Sequence, residues 1–143
     1  PTGPTGISTT ANSMYAGNTI GSAITVVSGG TNIPLPNNQV LDSFVVTITN
    51  DSFTVPVTGL YYITYQINIA LPLLVGSRIV LNGSAIPGSI FAPPVTTSNF
   101  SNDVIVQLTA GDILSLQLFG SAGTATLIGG SSEGAELTII RLT

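Results

Sequence analysis

The chain has 143 residues, of which 43% are hydrophobic and only 6% charged; two Arg, no Lys and six carboxylates give a net charge of −4. That length predicts one domain with one core, and hydrophobicity this high with so little charge excludes a disordered segment. Nucleic acid and anionic lipid are excluded as partners for want of a basic patch. The absence of His and Cys removes imidazole bases, thiol nucleophiles, disulfides and every metal site built on those ligands.

Residues 1–6 read Pro-Thr-Gly-Pro-Thr-Gly, two triplets in a Gly-X-Y register. Glycine at every third position is what three polyproline-II chains require at a crowded common axis. Residues 1–12 are therefore read as the end of a collagen-like stalk with its linker, and residues 13–143 as the folded domain. Without an initiator Met or a charged region leading into an apolar one, the sequence is expected to begin inside a longer parent.

From residue 13 onward no helical period persists, and the 16 Gly and 9 Pro punctuate the chain. Runs rich in Val, Ile, Thr, Tyr and Phe predict strands over residues 13–18, 24–27, 44–49, 53–55, 60–70, 77–81, 103–108, 113–119 and 135–142. Asn50-Asp51, Asn82-Gly83 and Ala110-Gly111-Asp112 supply turn chemistry, so neighbouring runs are expected to pair as antiparallel hairpins. Many short strands at this spacing predict a sandwich or barrel.

Within residues 60–70, one alternate set, Tyr61, Ile63, Tyr65, Ile67 and Ile69, is wholly apolar or aromatic and is assigned to the core; the other is mixed. Residues 104–106 and 137–142 are apolar on both parities. Their second face therefore needs a partner, and another subunit would supply one. The longest aliphatic stretch, residues 69–75, contains Pro72 and falls far short of the ~20 residues of a membrane-spanning helix, so no membrane insertion is expected.

Four segments in order carry a family pattern. They are Phe53-Thr-Val-Pro-Val-Thr-Gly-Leu-Tyr-Tyr-Ile-Thr-Tyr-Gln-Ile67, Ile79-Val-Leu-Asn-Gly-Ser84, Val106-Gln-Leu-Thr-Ala-Gly-Asp-Ile-Leu-Ser-Leu-Gln-Leu118, and the terminal strand over residues 134–142. With these the chain resembles the C1q/TNF-like jelly-roll domain. Preceded by collagen-like triplets and nearly devoid of charge, it looks most like the C-terminal head of the BclA-type collagen-like glycoproteins on the exosporium of Bacillus and Clostridium spores.

The resemblance implies an all-β, antiparallel jelly-roll sandwich of about ten strands that assembles as a homotrimer, aligning three chains and nucleating the stalk. It further implies that the strand opening at Gly59 turns Tyr62, Thr64 and Gln66 toward the neighbouring subunit, and that the last strand brings Leu137, Ile139 and Arg141 there. Thr2 and Thr5 are the stalk positions expected to carry O-linked sugar. The expected function is structural: a non-enzymatic head displayed at the tip of an exosporium filament on the spore's outer surface. The alternative is a lectin-like or cytokine-like head that recognises a host receptor or glycan.

Competing chemistries find little support in the sequence. A cupin, also a jelly roll, needs several His. Asp51, Asp103 and Asp112 are assigned to predicted turns as caps, because no Asp-x-Asp-x-Asp loop exists to hold calcium. Gly29-Gly30 and Gly129-Gly130 lack the Lys and helix of a phosphate loop. The Asn50, Asn82 and Asn99 sequons are read as chance in a Ser/Thr-rich chain. No cofactor or metal is expected. Residues 90–102, with Phe91, Asn99, Phe100 and Asn102, form the one candidate ligand platform and are read as a packed connection.

Overall fold

The computed structural model describes residues 12–143; the collagen-like triplets, with Thr2 and Thr5, lie outside the described residues. Thirteen strands follow one another: β1 (Ser13–Asn18), β2 (Ala23–Val26), β3 (Thr31–Asn32), β4 (Asn37–Val40), β5 (Val45–Val46), β6 (Phe53–Thr54), β7 (Gly59–Leu73), β8 (Gly76–Leu81), β9 (Ser84–Ala85), β10 (Thr97–Leu108), β11 (Ile113–Phe119), β12 (Gly123–Thr126) and β13 (Ala135–Arg141). There is no helix among the described residues. The count exceeds the expected ten; four of the strands, β3, β5, β6 and β9, are two-residue segments.

Antiparallel pairing arranges these strands in two main sheets. One has the order β10-β7-β13-β1-β4; the other runs β5-β6-β11-β8-β9, with β3 also beside β11, and β2 and β12 form a small separate ribbon. Alternation along β7 builds the core as predicted: Tyr61, Ile63, Tyr65, Ile67 and Ile69 are all buried. Phe53, Ile79, Leu114, Leu116 and Leu118 of the second sheet join them in one cluster, and Phe44 meets Tyr61 edge to face at 6.1 Å. At about 25 cal/mol per Å² of apolar surface, this shared core is the main stabilising term.

Register settles which face each terminal-strand residue takes, because residues directly opposed in a sheet share a face. In β13, Leu137 opposes Tyr65, Ile139 opposes Ile63 and Arg141 opposes Tyr61. Leu137 and Ile139 are therefore core residues, both 0% exposed, which corrects the expectation that they reach a neighbouring subunit. Arg141 closes the end of the sandwich instead. Its guanidinium donates to Asn12 Oδ1 at 2.9 Å, to the Thr143 carbonyl at 2.9 Å and to the Thr58 carbonyl at 3.4 Å. The outward members of β13 are Glu136, Thr138 and Ile140.

Two of the three predicted turns close hairpins. Asn82 (φ 50°) and Gly83 (φ 87°) join Leu81 to its partner Ser84 through the left-handed region, and Asn50 (φ 59°) sits in the turn between β5 and β6. The third does something else: Ala110-Gly111-Asp112 carries the chain from β10 in one sheet to β11 in the other. Asp112 stabilises that corner by accepting from the Thr109 N–H at 2.8 Å, as Asp51 does in its own turn by accepting from Thr49 Oγ1 at 2.7 Å. Asp103 lies within β10, outside any turn.

The predicted strand over 103–108 begins six residues earlier than its composition suggested, so residues 97–102 of the 90–102 region are strand. Phe100 is 0% exposed and stacks edge to face on Phe91, which leaves no aromatic platform there.

Candidate interaction surface

The outward face of the five-stranded sheet can be written as a grid from the pairing register. One row runs Ile105–Tyr62–Ile140–Ser13, the next Asp103–Thr64–Thr138–Tyr15–Val40, and a third Ser101–Gln66–Glu136–Gly17–Asn37. Tyr62, Thr64 and Gln66 thus lie on the outward side of β7, the second strand of this sheet. Ile105 (61% exposed) and Ile140, absent from the expected set, flank Tyr62 on either side. The signal for them was present in the doubly apolar runs, whose inward halves are Val104, Val106, Leu137 and Ile139.

Polar groups on this face are mostly tied to one another. The Tyr62 hydroxyl donates to Asp103 Oδ2 at 3.0 Å, Tyr15 to Glu133 Oε1 at 3.0 Å, and Thr138 Oγ1 to Glu136 Oε2 at 2.8 Å. Burial, followed by the Glu133 acceptor and charge, pushes the Tyr15 phenol up to about 12. Burial also raises Glu136 above the usual carboxylate range; the nearby Glu133 charge adds to this and the Thr138 hydrogen bond opposes it.

Among the described residues no group of three or more His, Cys, Asp or Glu side chains is placed to hold a metal ion. The face offers an aromatic ring between two aliphatic side chains, with a polar row beyond them. Such a patch works by shape and by exclusion of water.

A sequence model of the BclA C-terminal domain family matches residues 14–143. No curated protein matches the sequence. Among solved structures, the chain is similar to murine APRIL at pH 8.0, with 18% identity, a TM-score of 0.59, and coverage of 91% of this chain and 98% of that one. Eiger TNF from S. frugiperda gives 15% identity, a TM-score of 0.57, and coverage of 92% and 91%. Rabbit GITRL gives 17% identity, a TM-score of 0.53, and coverage of 85% and 95%. At these identities the likeness establishes a shared TNF-like jelly-roll fold.

Proposed function

The chain belongs to the BclA C-terminal domain family, and from that premise we propose that it is the trimerisation head of a collagen-like exosporium protein, displayed at the outer end of its filament. The observation that carries this reading is the Ile105–Tyr62–Ile140 row, an apolar strip across three strands on a sheet face that no strand among the described residues covers. Association through that strip would bury Tyr62, with Thr64 and Gln66 beside it.

Physical chemistry gives the assembly a purpose. A collagen triple helix forms only when three chains meet in register, and a head that associates first turns this encounter into a local event at high effective concentration. Asn12, Arg141 and Thr143 meet at one end of the sandwich, so the chain enters the fold at a single pole. A stalk attached there would leave the opposite pole facing outward. No step in this role requires catalysis, which agrees with a chain that has neither His nor Cys.

The test is solution mass. Analytical ultracentrifugation at micromolar concentration should return three times the 14.5 kDa chain mass. A monomer under those conditions would remove both the trimer and the nucleating role.

A further inference from the structure

The six carboxylates of the chain are unevenly placed. On the outward side of the five-stranded sheet, Asp103 accepts from the Tyr62 hydroxyl at 3.0 Å, Glu133 from the Tyr15 hydroxyl at 3.0 Å and Glu136 from Thr138 Oγ1 at 2.8 Å. Asp42 joins them at the rim, accepting from Ser13 Oγ at 3.2 Å, and Ser13 ends the row that contains Ile105, Tyr62 and Ile140. These hydroxyl donors satisfy the carboxylates without bringing any positive charge.

Both cations are committed elsewhere. Arg78 lies on β8 in the other sheet, its guanidinium 4.2 Å from the centroid of the Phe119 ring, and donates to Gln117 Oε1 and the Gly29 carbonyl. Arg141 closes one pole through Asn12, Thr58 and Thr143. All of those acceptors are neutral. Asp51 and Asp112, in turns away from this face, balance the two Arg, so the whole side-chain charge of −4 rests on the outward side of one sheet and its rim.

On the reading that this face is the one through which three heads associate, we propose that assembly is coupled to proton uptake: the trimer tightens in acid and loosens as pH rises. Association would bring twelve carboxylates, four from each of three chains, toward one another with no cation on the face to meet them. Like charges gathered where water is displaced favour the neutral form of each acid, so three associated chains hold more protons than three separate ones. The Ile105–Tyr62–Ile140 row supplies the attraction, and the carboxylates around it oppose that attraction to a degree set by pH.

Within the single chain Glu136 already feels both influences. Burial raises it above the usual carboxylate range, the Thr138 hydrogen bond opposes the rise, and the Glu133 charge adds to it. The titratable groups on the same face are Glu133 and Tyr15 beside it, Tyr62 and Asp103 across the sheet, and Asp42 at the rim; Thr64 and Gln66 on the adjoining β7 carry no charge. A carboxyl whose pKa rises on association favours the trimer in acid and loses that contribution as pH climbs from the ordinary 4.5 through the raised value.

The experiment is fluorescence-detected sedimentation of the 143-residue chain over a micromolar-to-nanomolar dilution series, at about pH 5 and about pH 8, with EDTA present so that protons and not divalent cations are the variable. If the trimer does not dissociate on dilution, a fixed urea concentration below the unfolding transition brings the half-point into range. The concentration of half-dissociation should rise about tenfold or more from the lower to the higher pH. Near pH 8, raising NaCl from about 0.05 to about 0.5 M should tighten the trimer by screening the same charges, with a smaller effect near pH 5. Asp103→Asn, Glu133→Gln and Glu136→Gln combined keep an oxygen for each hydroxyl donor and remove the charge. That folded variant should associate at the higher pH as the parent does at the lower one. Asp51→Asn, in the β5–β6 turn, should leave the pH dependence as in the parent. Should the triple variant not fold, the pH and salt series on the parent decides. A trimer with the same half-point at both pH values, a trimer loosened by salt, or a folded triple variant that keeps the parent's pH dependence overturns the coupling and leaves the trimer standing. A chain that is monomeric at micromolar concentration at both pH values overturns the trimer and the coupling with it.

Discussion

Tyr65 carries its hydroxyl into the middle of the sandwich, where it shares a hydrogen bond with Ser77 Oγ at 2.8 Å and donates to the Ser89 carbonyl at 2.7 Å. Burial pushes this phenol up to about 12 from its ordinary value of 10.0, against the smaller opposing effect of Ser77. The sign of the linkage follows. Below pH 10 the phenol is neutral in both states and its contribution is intact; between 10 and about 12 the unfolded chain loses the proton first and stability falls. Urea midpoints measured across that window should decline in the parent and decline less in Tyr65→Phe. At neutral pH, the same substitution should cost about 1 to 2 kcal/mol, since it leaves buried Ser77 and Ser89 groups short of a partner. Tyr61, four residues earlier and also fully buried, acts through volume, with Phe44 packed edge to face against it. Tyr61→Ala should open a cavity and cost roughly 3 to 5 kcal/mol, read from denaturant unfolding.

Among the elements, β13 shows how a strand can be apolar on both sides for two different reasons. Its inward set fills the core, whereas its outward set places Ile140 beside Tyr62 and Glu136 beside Gln66. Glu136 is the one ionisable group on this strand's outward face, and Glu133 and Tyr15 are the titratable groups that act with or on it nearby. A carboxyl whose folded pKa is raised favours the native state in acid and loses that advantage as pH rises through the folded pKa. Glu136→Gln keeps an oxygen to accept from Thr138 and removes the charge. Its melting temperature should exceed the parent's near pH 7, and the difference should vanish once both carboxyl states are protonated, at about pH 3. An unchanged melting temperature at neutral pH would show that water solvates this carboxylate well.

At the scale of the molecule, the proposed association rests on one face of the sandwich, the outward side of the five-stranded sheet. Tyr62 is the natural probe, because it lies at the centre of the apolar row and outside the core. In the proposed trimer, Tyr62→Asp would place an unpaired carboxylate in every symmetry-related copy of the interface, next to the existing Asp103. The variant should keep its strand circular dichroism and scatter light at one-third of the parent mass. If it remains trimeric, association runs through some other surface.

Much of this was readable from residue order. Period-two alternation over residues 60–70 assigned Tyr61 through Ile69 to the core, since only one pleat face can be buried by an opposing sheet, and Asn82-Gly83 marked its hairpin through the positive φ that few other pairs tolerate. The fold class followed from strand spacing together with the family pattern of residues 53–67 and 106–118. What the sequence left open was whatever depends on a partner distant along the chain. Leu137 and Ile139 read the same whether they face a core or a neighbour, because both surroundings reward apolar side chains; the pairing of β13 with β7 decides between them. Thr97–Asn102 lacks strand-like composition and becomes strand because β7 offers it an open edge. The stack of Arg78 on Phe119 left no local sequence signal at all: it joins β8 to β11 and the Gly29-Gly30 loop, segments that only tertiary closure brings together.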